Sequence, residues 1–162
     1  MPNDTAPPPL SDEQLARYSR QIQLPQVGVA GQAKVSAAHA LVIGVGGLGC
    51  PAAMYLAASG IGKLTLVDYD QVELSNLQRQ IAHTTADIGK LKTDSARETC
   101  LALNPLVSID TVDTVLDDDE MVEYVAHADV VLDCTDNFPT RFAINAFCWQ
   151  HGIPLVLSLI HI

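Results

Sequence analysis

Four glycines and one aspartate give this chain of 162 residues its first chemical signal. Gly44, Gly46 and Gly49 stand in GVGGLG at the GxGxxG spacing, with Gly47 as a further position without a side chain. An apolar run, ALVIGVG from Ala40, precedes the loop and a helix-forming Ala/Leu stretch follows it, which is the context the motif needs. The first glycine permits a tight turn, the second lets a phosphate approach the backbone, and the third lets helix and sheet come close. The following helix offers unpaired amides and a positive dipole end to an anion. Asp68 ends the next strand, about 20 residues on, where an acid accepts hydrogen bonds from ribose hydroxyls. Loop and acid together predict a nucleotide site but leave its nucleotide open. On these features alone an NAD-dependent dehydrogenase is the leading reading.

Other residues with chemical potential read more plainly. Asp133 and Asp136 end an apolar run at the carboxyl edge of the expected sheet, and a metal role competes there with helix capping. The acidic run from Asp117 to Glu120 reads as a solvated helix start. Cys50, Cys100, Cys134 and Cys148 are widely spaced with no CxxC pair, so they are expected to be buried small hydrophobes. None of the five histidines falls in these motifs, and His83, the nearest, is expected to be structural or exposed.

The elements that would position these groups alternate. Ser11 with Gln14 forms a capping box, with Asp12 and Glu13 at the negative-favouring end of a helix that closes near Pro25 and Gly28. Ala30 to Ala38 is a second short helix. Ala40 to Asp68 is a complete strand–helix–strand unit of about 30 residues. Helices are then expected over Lys90 to Leu103, Asp119 to Ala126 and Thr140 to Gln150. Strands are expected over Val107 to Val112, Val130 to Asp133 and Pro154 to Leu157. This alternation predicts an α/β fold, a Rossmann-like, doubly wound, mainly parallel sheet. The expected organisation is a disordered leader over 1–10, N-terminal helices over 11–38 and a nucleotide-binding domain over 39–156. The last segment, 157–162 (LSLIHI), is expected to be a non-native tail because it matches the translation of a transposon end, leaving the sheet incomplete at the C-terminus.

A net charge of −10 argues against nucleic acid or an anionic membrane as partner, since either requires surplus Lys and Arg. No apolar stretch approaches the roughly 20 residues of a bilayer-spanning helix. Without a secretory signal, the expected location is cytoplasmic.

The segment after Asp68 changes the nucleotide. DYDQVELSNLQRQ (Asp68 to Gln80) and GKLKTDSA (Gly89 to Ala96) resemble the E1-like (ThiF/MoeB/HesA) superfamily, as do ARYSRQIQL (Ala16 to Leu24), IGVGGLGC (Ile43 to Cys50) and LDCTDN (Leu132 to Asn137). These ordered matches cover nearly the whole chain after its leader. The resemblance implies ATP-dependent adenylation of the C-terminal glycine of a ubiquitin-like sulfur-carrier protein, of the molybdopterin-synthase small-subunit type or else of the thiamine pathway.

It also implies roles for individual residues. Gly47 would border ATP and Asp68 would hold its ribose. Ser75, Asn76, Leu77, Gln78 and Arg79 would meet the nucleotide, Arg79 through a guanidinium fork suited to phosphate oxygens. Lys92 would contact the phosphates, Asp136 would associate with Mg²⁺, and Asn137 would lie near the nucleotide. Arg79, Lys92 and Asp136 would thus carry the catalysis. Arg20 would reach the ATP site of a second copy in a homodimer. The resemblance further implies a carrier with a Gly-Gly terminus, and zinc held by paired CxxC motifs only in a further C-terminal half. The chain by itself is then expected to be weakly active or inactive.

Overall fold

The structure, a computed structural model, describes residues 7–157. Its sheet consists of five parallel strands: β1 (His39–Ile43), β2 (Lys63–Val67), β3 (Ser108–Val112), β4 (Val130–Asp133) and β5 (Leu155–Leu157). Their spatial order is β3-β2-β1-β4-β5. The chain winds outward from β1 to β3 and then crosses back to lay β4 against the other side of β1, so this is the doubly wound Rossmann-like arrangement. At that reversal the loops after β1 and β4 diverge and leave a crevice at the carboxyl edge.

The strands are apolar on both faces because helices cover both. Ala40, Val42, Leu64 and Leu66 pack with Ala53 and Ala57 of α4 (Gly49–Ser59) and with Ala96 and Cys100 of α5 (Lys92–Leu103). The intervening residues Leu41, Ile43, Val67 and Val131 point to the other face. There they meet Met121 and Val125 of α6 (Asp118–Ala126), and Ile144 and Cys148 of α7 (Phe138–His151). Leu157, where the expected tail begins, closes β5 opposite Asp133. The remainder of that tail, and residues 1–6 of the expected leader, lie outside the described residues.

The capping box of Ser11 and Gln14 is formed as expected. The first helix is nevertheless two, α1 (Asp12–Arg17) and α2 (Ser19–Ile22), divided at Tyr18. Tyr18 is 2% exposed, and its hydroxyl accepts a hydrogen bond from Asn104 Nδ2 at 2.8 Å. The break therefore turns an aromatic ring inward. The next helix, α3 (Gly28–Ala37), contributes Gln32, whose Nε2 donates to Ser59 O at 2.9 Å, tying this layer to the end of α4. Among the described residues no helix is long and apolar enough to cross a membrane.

Candidate functional site

Four loops leave the carboxyl edge of β1 to β4 and enclose a cavity of about 590 Å³. From the end of β1 come Ile43, Gly44, Gly46, Gly47 and Leu48, and from β2 come Val67, Asp68, Tyr69 and Asp70. Thr114, Val115 and Leu116 follow β3, while Cys134, Thr135, Asp136 and Asn137 follow β4. Arg79, Gln80 and Lys92 also line it.

The glycines divide into two kinds. β1 and β4 run in register, Ile43 beside Asp133, so Gly44 and Cys134 leave the sheet together. A Cβ on Gly44 would meet the Cys134 carbonyl oxygen at 2.8 Å, and its φ of +89° further favours glycine. On Gly49 a Cβ would lie 1.9 Å from Gly44 O. Those two positions build the turn. At Gly46 the nearest atom would be 3.9 Å away, and at Gly47 a Cβ would make only ordinary contact with the Arg79 side chain at 3.6 Å. Backbone sterics do not demand glycine there, so what the missing side chains provide is open cavity wall.

Asp68 fixes the loop to β2. Its Oδ2 accepts the Val45 N–H at 2.7 Å and its Oδ1 the Asp70 N–H at 2.9 Å. Each carboxylate oxygen retains a lone pair that can face the cavity. Lys92 begins α5 and is only 6% exposed, with Nζ 2.6 Å from Asp70 Oδ2. A lysine on a helix would ordinarily be solvated, and here it is a buried cation on the cavity wall. Arg79 is exposed and lays its aliphatic stem against Gly47 while Nη1 donates to Ser75 O at 3.1 Å.

Of the residues singled out from the sequence, the structure brings together Gly44, Gly46, Gly47, Asp68, Arg79, Lys92, Asp136 and Asn137. Gly49 lies behind the turn it permits. Ser75, Asn76, Leu77 and Gln78 do not line the cavity; buried Asn76 instead accepts the Glu73 N–H at 3.0 Å and braces the turn that carries Arg79. Arg20 is exposed on α2 and also stands outside the cavity lining. The capping question at Asp136 is answered by its neighbour, since Asn137 Oδ1 accepts the Thr140 N–H at 3.0 Å. Asp117 caps α6 with Glu120, and no cluster of three or more metal-ligating side chains occurs among the described residues.

Sequence reasoning missed several wall residues. Asp70 lies within the quoted DYD run, where its pairing with Lys92 depends on how the chain folds back. Gln80 is 3% exposed and its Oε1 has no hydrogen-bond partner among the described residues. Val115, Leu116 and Met121 add apolar lining to the cavity, and the only available signal was their place after the third strand. Cys134 lines the cavity, whereas Cys50, Cys100 and Cys148 are buried as expected.

His83 is structural. It lies buried behind the loop, with Nε2 3.5 Å from Cys50 Sγ and Nδ1 2.9 Å from Ser95 Oγ. Burial pushes the Cys50 thiol up to about 11 and lowers the imidazole, so both are neutral and the thiol donates to Val45 O at 3.3 Å.

A cavity lined by apolar side chains, by glycines and by a buried ammonium suits a base joined to phosphates. Comparison with known proteins agrees. The ThiF family model matches residues 18–160. The molybdopterin-synthase adenylyltransferase of Escherichia coli (strain K12) is 46% identical over 147 residues, covering 91% of this chain and 59% of the relative. The SAMP-activating enzyme E1 of Haloferax volcanii is 47% identical over 152 residues, with 94% and 56% covered. The chain thus spans somewhat more than half the length of these relatives. Among solved structures, E. coli tRNA N6-threonylcarbamoyladenosine dehydratase in complex with ATP superposes with a TM-score of 0.85 at 32% identity, covering 91% of this chain and 60% of that one.

Proposed function

This chain belongs to the ThiF family, and from that membership and its cavity we propose that it forms the ATP site of an adenylyltransferase. Its substrate would be the C-terminal glycine of a ubiquitin-like sulfur-carrier protein ending in Gly-Gly. In the reaction a carboxylate oxygen of that glycine attacks the α-phosphorus of ATP. The bond from that phosphorus to the bridging oxygen of the β-phosphate breaks, pyrophosphate leaves, and an acyl-adenylate forms. A carboxylate is already ionised at neutral pH, so no general base is needed.

The observation that carries the reading is one cavity lined by the buried Lys92 ammonium and by the side-chain-free Gly46 and Gly47, with Arg79 laid over Gly47. Two cations lining one cavity suit a triphosphate, whose charge grows on the leaving oxygens as pyrophosphate departs. Asp68 accepts from ribose hydroxyls, and Val115, Leu116 and Met121 receive the base. A dinucleotide redox cofactor gives no special reason for the SNLQRQ and LDCTDN segments.

The donor set also suits magnesium, a hard cation that takes carboxylate and phosphate oxygens, because the Asp136 and Asp70 carboxylates both line the cavity. When bound there it would offset charge on the phosphate oxygens. Lys92 and Arg79 align the triphosphate, and the enclosing loops restrict water around the acyl-adenylate.

The molybdopterin-synthase type of carrier is favoured over the thiamine type, supported by the E. coli relative named for that transfer. Pyrophosphate exchange tests the proposal. With Mg²⁺-ATP, labelled pyrophosphate should enter ATP only when a carrier ending in Gly-Gly is present, and removal of its last glycine should abolish exchange. Carrier-independent exchange, or exchange sustained by a carrier without its last glycine, would contradict it.

A further inference from the structure

The carboxylate of Asp136 is placed by its neighbours. Asp133, the last residue of β4, is 0% exposed and sends Oδ1 forward along the chain, accepting the Thr135 N–H at 2.9 Å and the Thr135 hydroxyl at 2.7 Å. From the other direction Arg141 of α7 donates Nε to Thr135 O at 3.1 Å, and its Nη2 donates to the same oxygen. That oxygen belongs to the peptide plane carrying the Asp136 amide. Beyond Asp136, the Asn137 cap fixes the first turn of α7. Asp136 is therefore bracketed on both sides while its own side chain stays exposed on the cavity wall.

Stability gives a poor reason for this arrangement. Asp133 Oδ2 is buried without a hydrogen-bond partner among the described residues, and leaving such an atom unsatisfied costs about 1–3 kcal/mol. The half-buried Arg141 guanidinium directs two donors at a neutral carbonyl, although a carboxylate would bind it more strongly. The two side chains converge on one residue, Thr135, from its amide and its carbonyl sides, next to a carboxylate whose use would require placement within about 0.5 Å.

We propose that Arg141 is a positioning residue: gripping the Thr135 carbonyl while Asp133 holds the Thr135 amide, it sets the Asp136 carboxylate on the cavity wall for the magnesium that accompanies the triphosphate. The proposal rests on the ATP reading above. Arg141 acts through the backbone and touches neither nucleotide nor metal. Asp133 acts as a hydrogen-bond acceptor, so its charge is dispensable.

The test measures ATP binding to the 162-residue chain by calorimetry across a Mg²⁺ series and in chelator, with thermal unfolding followed in parallel. Arg141→Ala should raise the Mg²⁺ concentration for half-maximal enhancement of ATP affinity by about tenfold, the range for removing a group that orients a metal ligand. Its affinity for metal-free ATP should stay within about twofold of wild type. Arg141→Lys should recover part of the loss. Asp133→Asn, which keeps the acceptor, should resemble wild type, while Asp133→Ala should resemble Arg141→Ala. Adding Arg141→Ala to Asp136→Asn should change the Mg²⁺ requirement no further, because both act at one carboxylate.

As a nucleotide-independent readout, hydrogen exchange at the Thr135 amide should accelerate in Asp133→Ala and not in Asp133→Asn. Additive effects of Arg141→Ala and Asp136→Asn, or an equal loss of metal-free ATP affinity in Arg141→Ala, would overturn the positioning role while sparing the ATP reading. Wild-type protein that binds no ATP would overturn both.

Discussion

Lys92 Nζ and Asp70 Oδ2 lie 2.6 Å apart on the wall of the cavity, the lysine buried and the aspartate about half exposed. A triphosphate arriving at Lys92 must share or displace that carboxylate. The pair is open to solvent on the aspartate side, so the competition is modest and the cation is held ready at small cost.

Removing the competitor therefore has a stated sign. Asp70→Asn should raise the affinity for metal-free ATP by about threefold, the range for losing a solvent-screened ion pair. Calorimetry in chelator measures this. A fall in affinity would mean instead that Asp70 is needed to aim the lysine.

The glycines should separate by function. Gly49→Ala forces a Cβ to 1.9 Å from Gly44 O and should destabilise the fold by about 3 kcal/mol. Gly46→Ala meets nothing closer than 3.9 Å and should change stability by less than about 1 kcal/mol. It should still weaken ATP binding by about tenfold, because the methyl projects where backbone amides would face phosphate. Denaturant midpoints and nucleotide titrations read the two effects separately.

Acid should weaken the fold in two stages. His83 is lowered from 6.5 by burial, so just below 6.5 the unfolded chain takes a proton that the folded chain refuses. Stability rises with pH across that window and is lost as acid is added. Asp87 is held well below its usual 3.8 by the Thr84 hydroxyl, with Lys90 adding to the effect. Its contribution is present above 3.8 and disappears as pH falls toward the lowered value. Urea midpoints should decline from about pH 7 to about pH 5 in wild type, and this first decline should flatten in His83→Gln. An unchanged profile in that variant would show that His83 does not titrate on unfolding.

The sheet was legible because local signals agreed with the fold. Continuous apolar runs marked β1, β2 and β4, and glycine or proline bounded the helices, so most element ends fall within two residues of expectation. The split at Tyr18 was not legible, since its cause is Asn104, distant in sequence. The same distinction applies to the site. GVGGLG and Asp68 announce themselves because strand, turn and helix are contiguous. Asp70 acquires significance only when α5 brings Lys92 beside it, and Arg141 only when α7 folds back over Thr135. Asn76 sits in a motif that matches nucleotide-contacting residues, yet the fold gives it the turn beneath Arg79.

Competitive binding of ATP and NAD⁺ to the 162-residue chain tests the central claim most directly. The account predicts that Mg²⁺-ATP binds, that NAD⁺ fails to displace it, and that Lys92→Met weakens ATP at least tenfold, about the loss of one charge-assisted hydrogen bond. Tighter binding of NAD⁺ than of ATP, or an ATP affinity unchanged in Lys92→Met, would contradict it.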